Sequence, residues 1–89
     1  MLFEIITPNK LYISEDAELV RVPGSLSPFA MKHNHAPIIS TIEAGVVKII
    51  QDGVERFFEI GEESIVEQHE NKITIVANRV EETYPILIR

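Results

Sequence analysis

Short runs in which hydrophobic and polar residues alternate occur along most of the chain, and this two-residue period is typical of half-buried β-strands. Residues 2–7 and 11–14 form two such runs around a Pro-Asn-Lys turn, so an N-terminal hairpin is predicted. A third strand is expected within residues 16–22, which end at the Pro23-Gly24 turn.

Residues 22–40 break the alternation. Pro23, Pro28 and Pro37 each fix φ and lack a backbone donor, which predicts a loop system without a regular element. His33 and His35 lie inside this segment. Because irregular segments on a rigid scaffold often hold binding residues, residues 22–40 are the first candidate for function.

The clearest hairpin is predicted at Asp52-Gly53, since a type I′ turn needs two residues that tolerate positive φ. The expected pairs are Gln51 with Val54, Ile49 with Arg56, and Val47 with Phe58. The expected core face carries Val47, Ile49, Val54, Phe58 and Ile60. The opposite, mixed face carries Val46, Lys48, Ile50, Glu55, Phe57 and Glu59, and is expected to meet solvent or a partner.

A second hairpin is predicted from residues 64–68 and 72–77, joined by a turn at residues 69–71. Residues 78–83 are polar enough for a loop or a single helical turn. Residues 84–88 are predicted to form an edge strand or a docked tail, because Pro85 cannot occupy a central strand. Many short strands without a long helix predict an all-β fold, an antiparallel β-sandwich or flattened barrel, as one domain over residues 1–89.

Composition narrows the classes of function. The formal net charge of −6 argues against nucleic acid as a partner, because phosphate binding needs a basic surface. The chain has no cysteine, which excludes disulfides and thiolate metal sites. No run has the length of a membrane span and the N-terminus lacks signal-peptide features, so direct membrane insertion is not expected.

Candidate catalytic chemistry is sparse. On an extended segment His33 and His35 would point the same way and could bind one metal ion, with Glu43 or His69 completing the site. This pattern is similar to the His-x-His start of the cupin metal motif, although Glu43 lies farther along the chain than the cupin glutamate. The serines lie in no Gly-x-Ser-x-Gly setting and no Gly-rich nucleotide loop is present, so no catalytic or cofactor-binding residue is assigned.

The ordered motifs resemble the N-terminal β-sandwich domain of the epsilon subunit of F-type ATP synthases. The motifs are Phe3-Glu4-Ile5-Ile6-Thr7-Pro8, Leu19-Val20-Arg21-Val22-Pro23-Gly24, His35-Ala36-Pro37-Ile38-Ile39-Ser40, Gly45-Val46-Val47-Lys48-Ile49 and Asn71-Lys72-Ile73-Thr74-Ile75-Val76-Ala77. The chain departs from the family pattern at Ser27, Ala30 and His33, at Glu63-Ser64, and in ending before the C-terminal helical hairpin that family members commonly carry.

The resemblance implies a non-catalytic rotor subunit that links the gamma subunit to the membrane c-ring and couples ion transport to ATP synthesis. It implies contact with the catalytic head only indirectly, a peripheral position on the cytoplasmic face of the bacterial inner membrane, and no cofactor. The residues expected on the c-ring side are Leu26, Ser27, Pro28, Phe29, Lys32, His33, Asn34 and His35. The alternative is a small cupin-like metalloprotein that uses His33 and His35.

Overall fold

A computed structural model describes residues 1–84 of the chain. Ten strands are present in this part: β1 Leu2–Ile6, β2 Leu11–Asp16, β3 Leu19–Val22, β4 Phe29–Lys32, β5 Ile38–Ile42, β6 Gly45–Gln51, β7 Val54–Ile60, β8 Ser64–His69, β9 Lys72–Val76 and β10 Val80–Thr83. No helix long and apolar enough to cross a membrane occurs between residues 1 and 84.

The strands form two five-stranded sheets, in the orders β2-β1-β9-β8-β5 and β10-β7-β6-β3-β4. We call them the first sheet and the second sheet. Every neighbouring pair is antiparallel except β1 and β9, which run parallel. The predicted antiparallel β-sandwich is therefore confirmed, with one parallel pair that local patterns could not reveal because it joins strands far apart in sequence.

The two sheets enclose one hydrophobic core. The strands place their inward side chains in this core at alternating positions, as on β1, where Phe3 and Ile5 are fully buried. Phe3 and Phe58 face each other across the core with ring centroids 6.0 Å apart. The aromatic pair thus joins β1 of the first sheet to β7 of the second sheet, each next to an edge strand.

The hairpin at Asp52-Gly53 is confirmed in its turn and register. Asp52 and Gly53 have φ values of 51° and 77°, and all three expected pairs form. Val54 is expected in the core, but 61% of its surface is exposed because it lies at the hairpin tip, directly after the turn. The adjacent phenylalanines divide as alternation requires: Phe58 is fully buried and Phe57 lies half-buried on the outer face.

The second hairpin forms with a shorter turn than expected. Glu70 and Asn71 have φ values of 53° and 60°, so they make a two-residue turn and His69 pairs with Lys72 inside the ladder. The first hairpin, β1 with β2, is confirmed and has a register irregularity between Ile5 and Ile6. The strand expected within residues 16–22 starts at Leu19, because Asp16 still belongs to β2.

The prediction that residues 22–40 contain no regular element is wrong. β4 lies within this segment and pairs with β3, and β5 begins at Ile38. Met31 is fully buried, whereas Ala30 and Lys32 on either side of it are exposed. Four residues give only two inward positions, too few for alternation to be recognised beside the prolines, while pairing with β3 satisfies the backbone.

The prediction of a loop or helical turn for residues 78–83 is also wrong. Val80, Glu81, Glu82 and Thr83 form β10, which pairs with β7 at the edge of the second sheet. The Glu82 backbone N–H donates to the Tyr12 hydroxyl at 3.0 Å, which occupies that donor on the open side of the edge strand. Tyr84 is exposed and follows β10, and the edge strand or tail expected over residues 84–88 otherwise lies outside the described residues.

Candidate partner-binding surfaces

The loop between β3 and β4 presents a fully exposed aliphatic side chain. Leu26 has a relative exposure of 102%, and Ser27 and Pro28 beside it are also exposed. A leucine held entirely in water gains nothing from folding, since burial in an apolar environment is what stabilises such a side chain. The position is suited to contact with another molecule.

Close packing beneath this loop fixes its path. A Cβ atom placed on Gly24 would lie 2.5 Å from the Ser27 carbonyl oxygen and 2.7 Å from the Phe29 ring, so the chain there accepts only glycine without moving. The Ser25 backbone N–H donates to the Thr41 carbonyl at 3.2 Å, and the Thr41 hydroxyl donates to the Ser25 hydroxyl at 2.8 Å. These contacts hold the loop of residues 23–28 between β3 and β4, which we call the Leu26 loop, against β5 of the first sheet.

The other half of the predicted site lies at the opposite end of β4. Lys32, His33 and His35 are exposed there, and the His35 backbone N–H donates to the Lys32 carbonyl at 3.1 Å. Asn34 has a φ of 65°, and its backbone N–H donates to the Asn71 side-chain oxygen at 2.7 Å. The segment is thereby joined to the β8–β9 turn, away from the Leu26 loop.

The buried side chain of Gln68 holds the start of the His-Ala-Pro segment, residues 35–37, by hydrogen bonds. Its side chain is 1% exposed, and in the amide orientation that satisfies its surroundings Nε2 donates to the carbonyls of His35 and Ala36, each at 3.0 Å. The amide therefore stabilises the bend that leads from His35 into β5. A buried glutamine in an alternating strand gives a sequence signal, but its partners follow only from the fold.

The eight residues expected on the c-ring side thus lie along the β4 edge of the sandwich, in two groups. Leu26, Ser27, Pro28 and Phe29 are at one end of the strand, and Lys32, His33, Asn34 and His35 are at the other. Three residue steps separate Phe29 from Lys32, which is about 10 Å in a β-strand. The structure does not bring the two groups into one compact patch.

The histidines do not form the metal site of the alternative hypothesis. Among residues 1–84 there is no group of three or more His, Asp or Glu side chains placed to hold a metal ion. The His35 Nδ1 lies 2.7 Å from the Ala36 carbonyl oxygen, a contact that requires it to be the protonated nitrogen. Local geometry therefore gives no support to a cupin-like centre at His33 and His35.

The outer face of the first sheet carries an aliphatic row that the sequence patterns missed. Leu11, Ile6, Val76 and Ile65 are direct cross-strand neighbours on β2, β1, β9 and β8, with exposures of 53%, 37%, 50% and 41%. We call these four residues the aliphatic row. The row continues to Thr41, and so reaches the strand that holds the Leu26 loop. In the sequence each member is an isolated apolar residue, and only the strand order shows that the four are neighbours.

Polar contacts near this face perturb one carboxylate. Hydrogen bonds from the Ser14 hydroxyl at 2.9 Å and from Lys72, whose Nζ lies 3.2 Å away, lower the pKa of Glu4 below its ordinary value of 4.5. Glu4 lies in the row of residues next to the aliphatic row on β1 and remains ionised at neutral pH. The aliphatic row is therefore bordered by the ion pair of Glu4 and Lys72.

Residues 1–83 match the family described as the ATP synthase, Delta/Epsilon chain, beta-sandwich domain. The chain belongs to this family. The Delta/Epsilon match covers nearly all of the described residues, and it confirms the resemblance drawn from the ordered motifs.

Relatives and solved structures agree with the family. The chain is 33% identical to the ATP synthase epsilon chain of Pelotomaculum thermopropionicum over 88% of its own length and 58% of that chain. The corresponding values for the epsilon chain of Desulfitobacterium hafniense are 37%, 86% and 58%. The chain thus spans less than two thirds of the length of these relatives. The names describe one chain of a larger complex and point to a non-catalytic subunit.

Two solved assemblies contain the same fold. A chain of the mitochondrial ATP synthase of Euglena gracilis, an OSCP/F1/c-ring assembly, superimposes with a TM-score of 0.84 and 7% identity over 92% of this chain and 52% of its own. A chain of the Tetrahymena thermophila central stalk/c-ring assembly gives a TM-score of 0.76 and 17% identity over 91% and 65% of the two chains. The epsilon-type sandwich is therefore retained where little sequence identity remains.

Proposed function

We propose that the chain is a non-catalytic central-stalk subunit of an F-type ATP synthase, which links the gamma subunit to the c-ring and couples ion transport to ATP synthesis. Membership of the Delta/Epsilon family carries the proposal. In this proposal residues 1–89 form a single epsilon-type domain at the cytoplasmic face of the bacterial inner membrane. The catalytic head is contacted only indirectly.

The Leu26 loop is the proposed principal contact with the c-ring. Leu26 is fully exposed at its tip, and Gly24 packs so closely against Ser27 and Phe29 that the loop has a defined shape. A shaped loop can transmit force, whereas a loosely held one would yield under torque. Lys32, His33, Asn34 and His35 take part in this contact if the β4 edge lies along the ring surface.

The aliphatic row is the proposed docking surface for the gamma subunit. It offers four adjacent aliphatic side chains on a stiff sheet, and an exposed apolar patch of this kind is typical of a protein interface. The hydrogen bond between Thr41 and Ser25 places the row and the Leu26 loop towards the same end of the sandwich. One rigid body would then contact the shaft and the ring together.

Site-specific photocrosslinking in the assembled synthase tests both contacts. A photoreactive residue at position 26 is expected to give adducts with the c subunit, and one at position 76 adducts with gamma. Position 52, an exposed hairpin tip beside His33 and away from the Leu26 loop, is expected to give neither adduct if the Leu26 loop alone meets the ring. An adduct with the c subunit from position 52 would extend the contact to the His33 end of the β4 edge. Assembled complexes without an adduct from position 26 or 76 would contradict these contacts.

A pair of variants separates the two halves of the β4 edge. Leu26→Ser is expected to uncouple ion flow from ATP synthesis more strongly than the combined Lys32→Glu and His35→Ala changes. Equal, strong effects would show that the whole edge lies along the ring. Wild-type coupling in both variants would remove this edge from the interface.

A further inference from the structure

The outer face of the second sheet holds an apolar groove beside two glutamates, Glu59 and Glu81, which we call the charge pair although their charges are alike. The groove has a volume of about 210 Å³ and is lined by Val46, Phe57, Thr83 and Tyr84. Val46 is 46% exposed and Tyr84 76% exposed, so apolar surface is open to solvent at this point. The groove lies on β6, β7 and the end of β10, on the sheet that does not carry the aliphatic row.

The charge pair consists of two glutamates on neighbouring strands. Glu59 on β7 and Glu81 on β10 are direct cross-strand partners, and both are exposed. Directly opposed side chains lie about 5 Å apart at their Cβ atoms, and like charges at that separation destabilise a sheet. No salt bridge joins either glutamate to a basic side chain within residues 1–84.

The groove and the charge pair are neighbours. Glu59 also pairs with Val46 across the β6–β7 ladder, so one row across the sheet reads Glu81, Glu59, Val46. The next row on the same face holds Thr83, Phe57, Lys48 and Arg21. A molecule that fills the groove would therefore bring its next polar group over the carboxylates of Glu59 and Glu81, which form no salt bridge within residues 1–84.

The face of the second sheet is a better site for an occupant than the edge of β10. Strand addition requires free backbone donors on the open edge of β10, but the Glu82 N–H is already bound by the Tyr12 hydroxyl. Arg56 further holds Glu82 through two hydrogen bonds of 2.9 and 3.0 Å. Strand addition at this edge would therefore have to break the hydrogen bond from Glu82, whereas Val46, Glu59 and Glu81 on the face are exposed.

We propose that this face binds an amphipathic helix of another polypeptide, with an aliphatic anchor in the groove and a lysine or arginine one turn later over Glu59 and Glu81. Two residues along β7 span about 6.8 Å. Four residues along a helix span about 6 Å, so an anchor at position i and a cation at i+4 match the spacing from Phe57 to Glu59. The proposal does not depend on the assignment of the c-ring and gamma contacts.

Nuclear magnetic resonance titration of the labelled chain tests the proposal with a synthetic probe. The probe is an amphipathic peptide about 18 residues long, enough for a helix, with leucine at i and lysine at i+4. Its twin carries glutamate in place of each lysine. We expect shifts of the Val46, Phe57, Glu59 and Glu81 amides, and binding at least about tenfold weaker for the twin.

A matched pair of charge reversals provides the control. The Glu59→Lys and Glu81→Lys double variant keeps a like-charge pair on the sheet, so it should fold normally and lose at least about tenfold in affinity for the lysine peptide. The Glu43→Lys and Glu67→Lys double variant changes the net charge equally at exposed sites elsewhere and should bind as wild type. Equal losses in both, shifts confined to the aliphatic row, or no binding would overturn the proposal.

Discussion

Arg56 grips the Glu82 carboxylate with two hydrogen bonds, from Nε at 2.9 Å and Nη2 at 3.0 Å. The same guanidinium donates from Nη1 to Glu15 on the other sheet at 3.0 Å and lies 5.4 Å from the Phe58 ring centroid. One side chain on β7 thus joins β10 and both sheets. The hydrogen bonds to Glu82, followed by attraction to Glu82 and Glu15, raise the pKa of Arg56.

Arg56→Met is expected to destabilise the fold by about 1–3 kcal/mol, because a charge-assisted bidentate bond is lost and the half-buried Glu82 is left without its partner. Methionine keeps the apolar stem over Phe58. Urea unfolding measures the change in the free energy of unfolding. Lys48→Met is the matched control, since its 3.2 Å pair with Glu55 is more exposed and should be worth about 0–1 kcal/mol. Equal losses of unfolding free energy in the two variants would contradict a special role for the contact between Arg56 and Glu82.

Removing the Ser14 hydroxyl should raise the pKa of Glu4, because the hydrogen bond from Ser14 is the main cause of its depression and Lys72 is the second. A depressed carboxyl pKa adds stability that is present above the ordinary value of 4.5 and is lost as the pH falls through the folded value. In Ser14→Ala the stability that ionised Glu4 contributes above this pH should be smaller. Carboxyl titration by NMR measures the shift, and Ser40→Ala, whose hydroxyl bonds to the Thr41 carbonyl, should leave Glu4 unchanged.

Gly24→Ala is expected to cost about 1–3 kcal/mol, because the new methyl group would overlap the Ser27 carbonyl and the Phe29 ring. The amide resonances of the Leu26 loop should shift with it. Gly53→Asn is the comparison: Gly53 has a φ of 77° and nothing within 4 Å of an added Cβ, and asparagine tolerates that conformation. Its cost should stay within about 0.5 kcal/mol. A Gly24→Ala chain as stable as wild type would show that the loop yields easily.

Gln68→Met should destabilise the chain by about 1–3 kcal/mol, since two hydrogen bonds from a buried amide to the His35 and Ala36 carbonyls are lost. Faster hydrogen exchange is expected in residues 33–39. Glu67→Met, one residue earlier and exposed on the opposite face, provides the control and should change neither quantity appreciably. If the two variants behave alike, Gln68 does not anchor this segment.

Local sequence patterns predicted the elements that are determined by interactions between residues close together in the sequence. Asp52-Gly53 specifies its turn through the φ values it permits, and alternation then places Ile49 and Phe58 in the core. β4 and β10 were missed because each has only four residues, β4 stands beside prolines and β10 is mostly polar, so pairing with β3 and β7 determines them. The parallel pairing of β1 with β9 has the same origin.

The surfaces were predictable only in part, for a related reason. Leu26 could be chosen from the irregular segment around it, but its separation from His35 depends on β4, which holds the two loops at opposite ends. The aliphatic row needs four strands in the right order before Leu11 and Ile65 become parts of one surface. Composition and spacing carry no information about that order.

Capture of the tagged chain from detergent extracts of its own source membranes tests the central-stalk proposal most directly. Recovery of the gamma subunit, the catalytic subunits and the c-ring in stoichiometric amounts is expected. Recovery of the chain alone, with an intact synthase left in the unbound fraction, would contradict a place in the rotor.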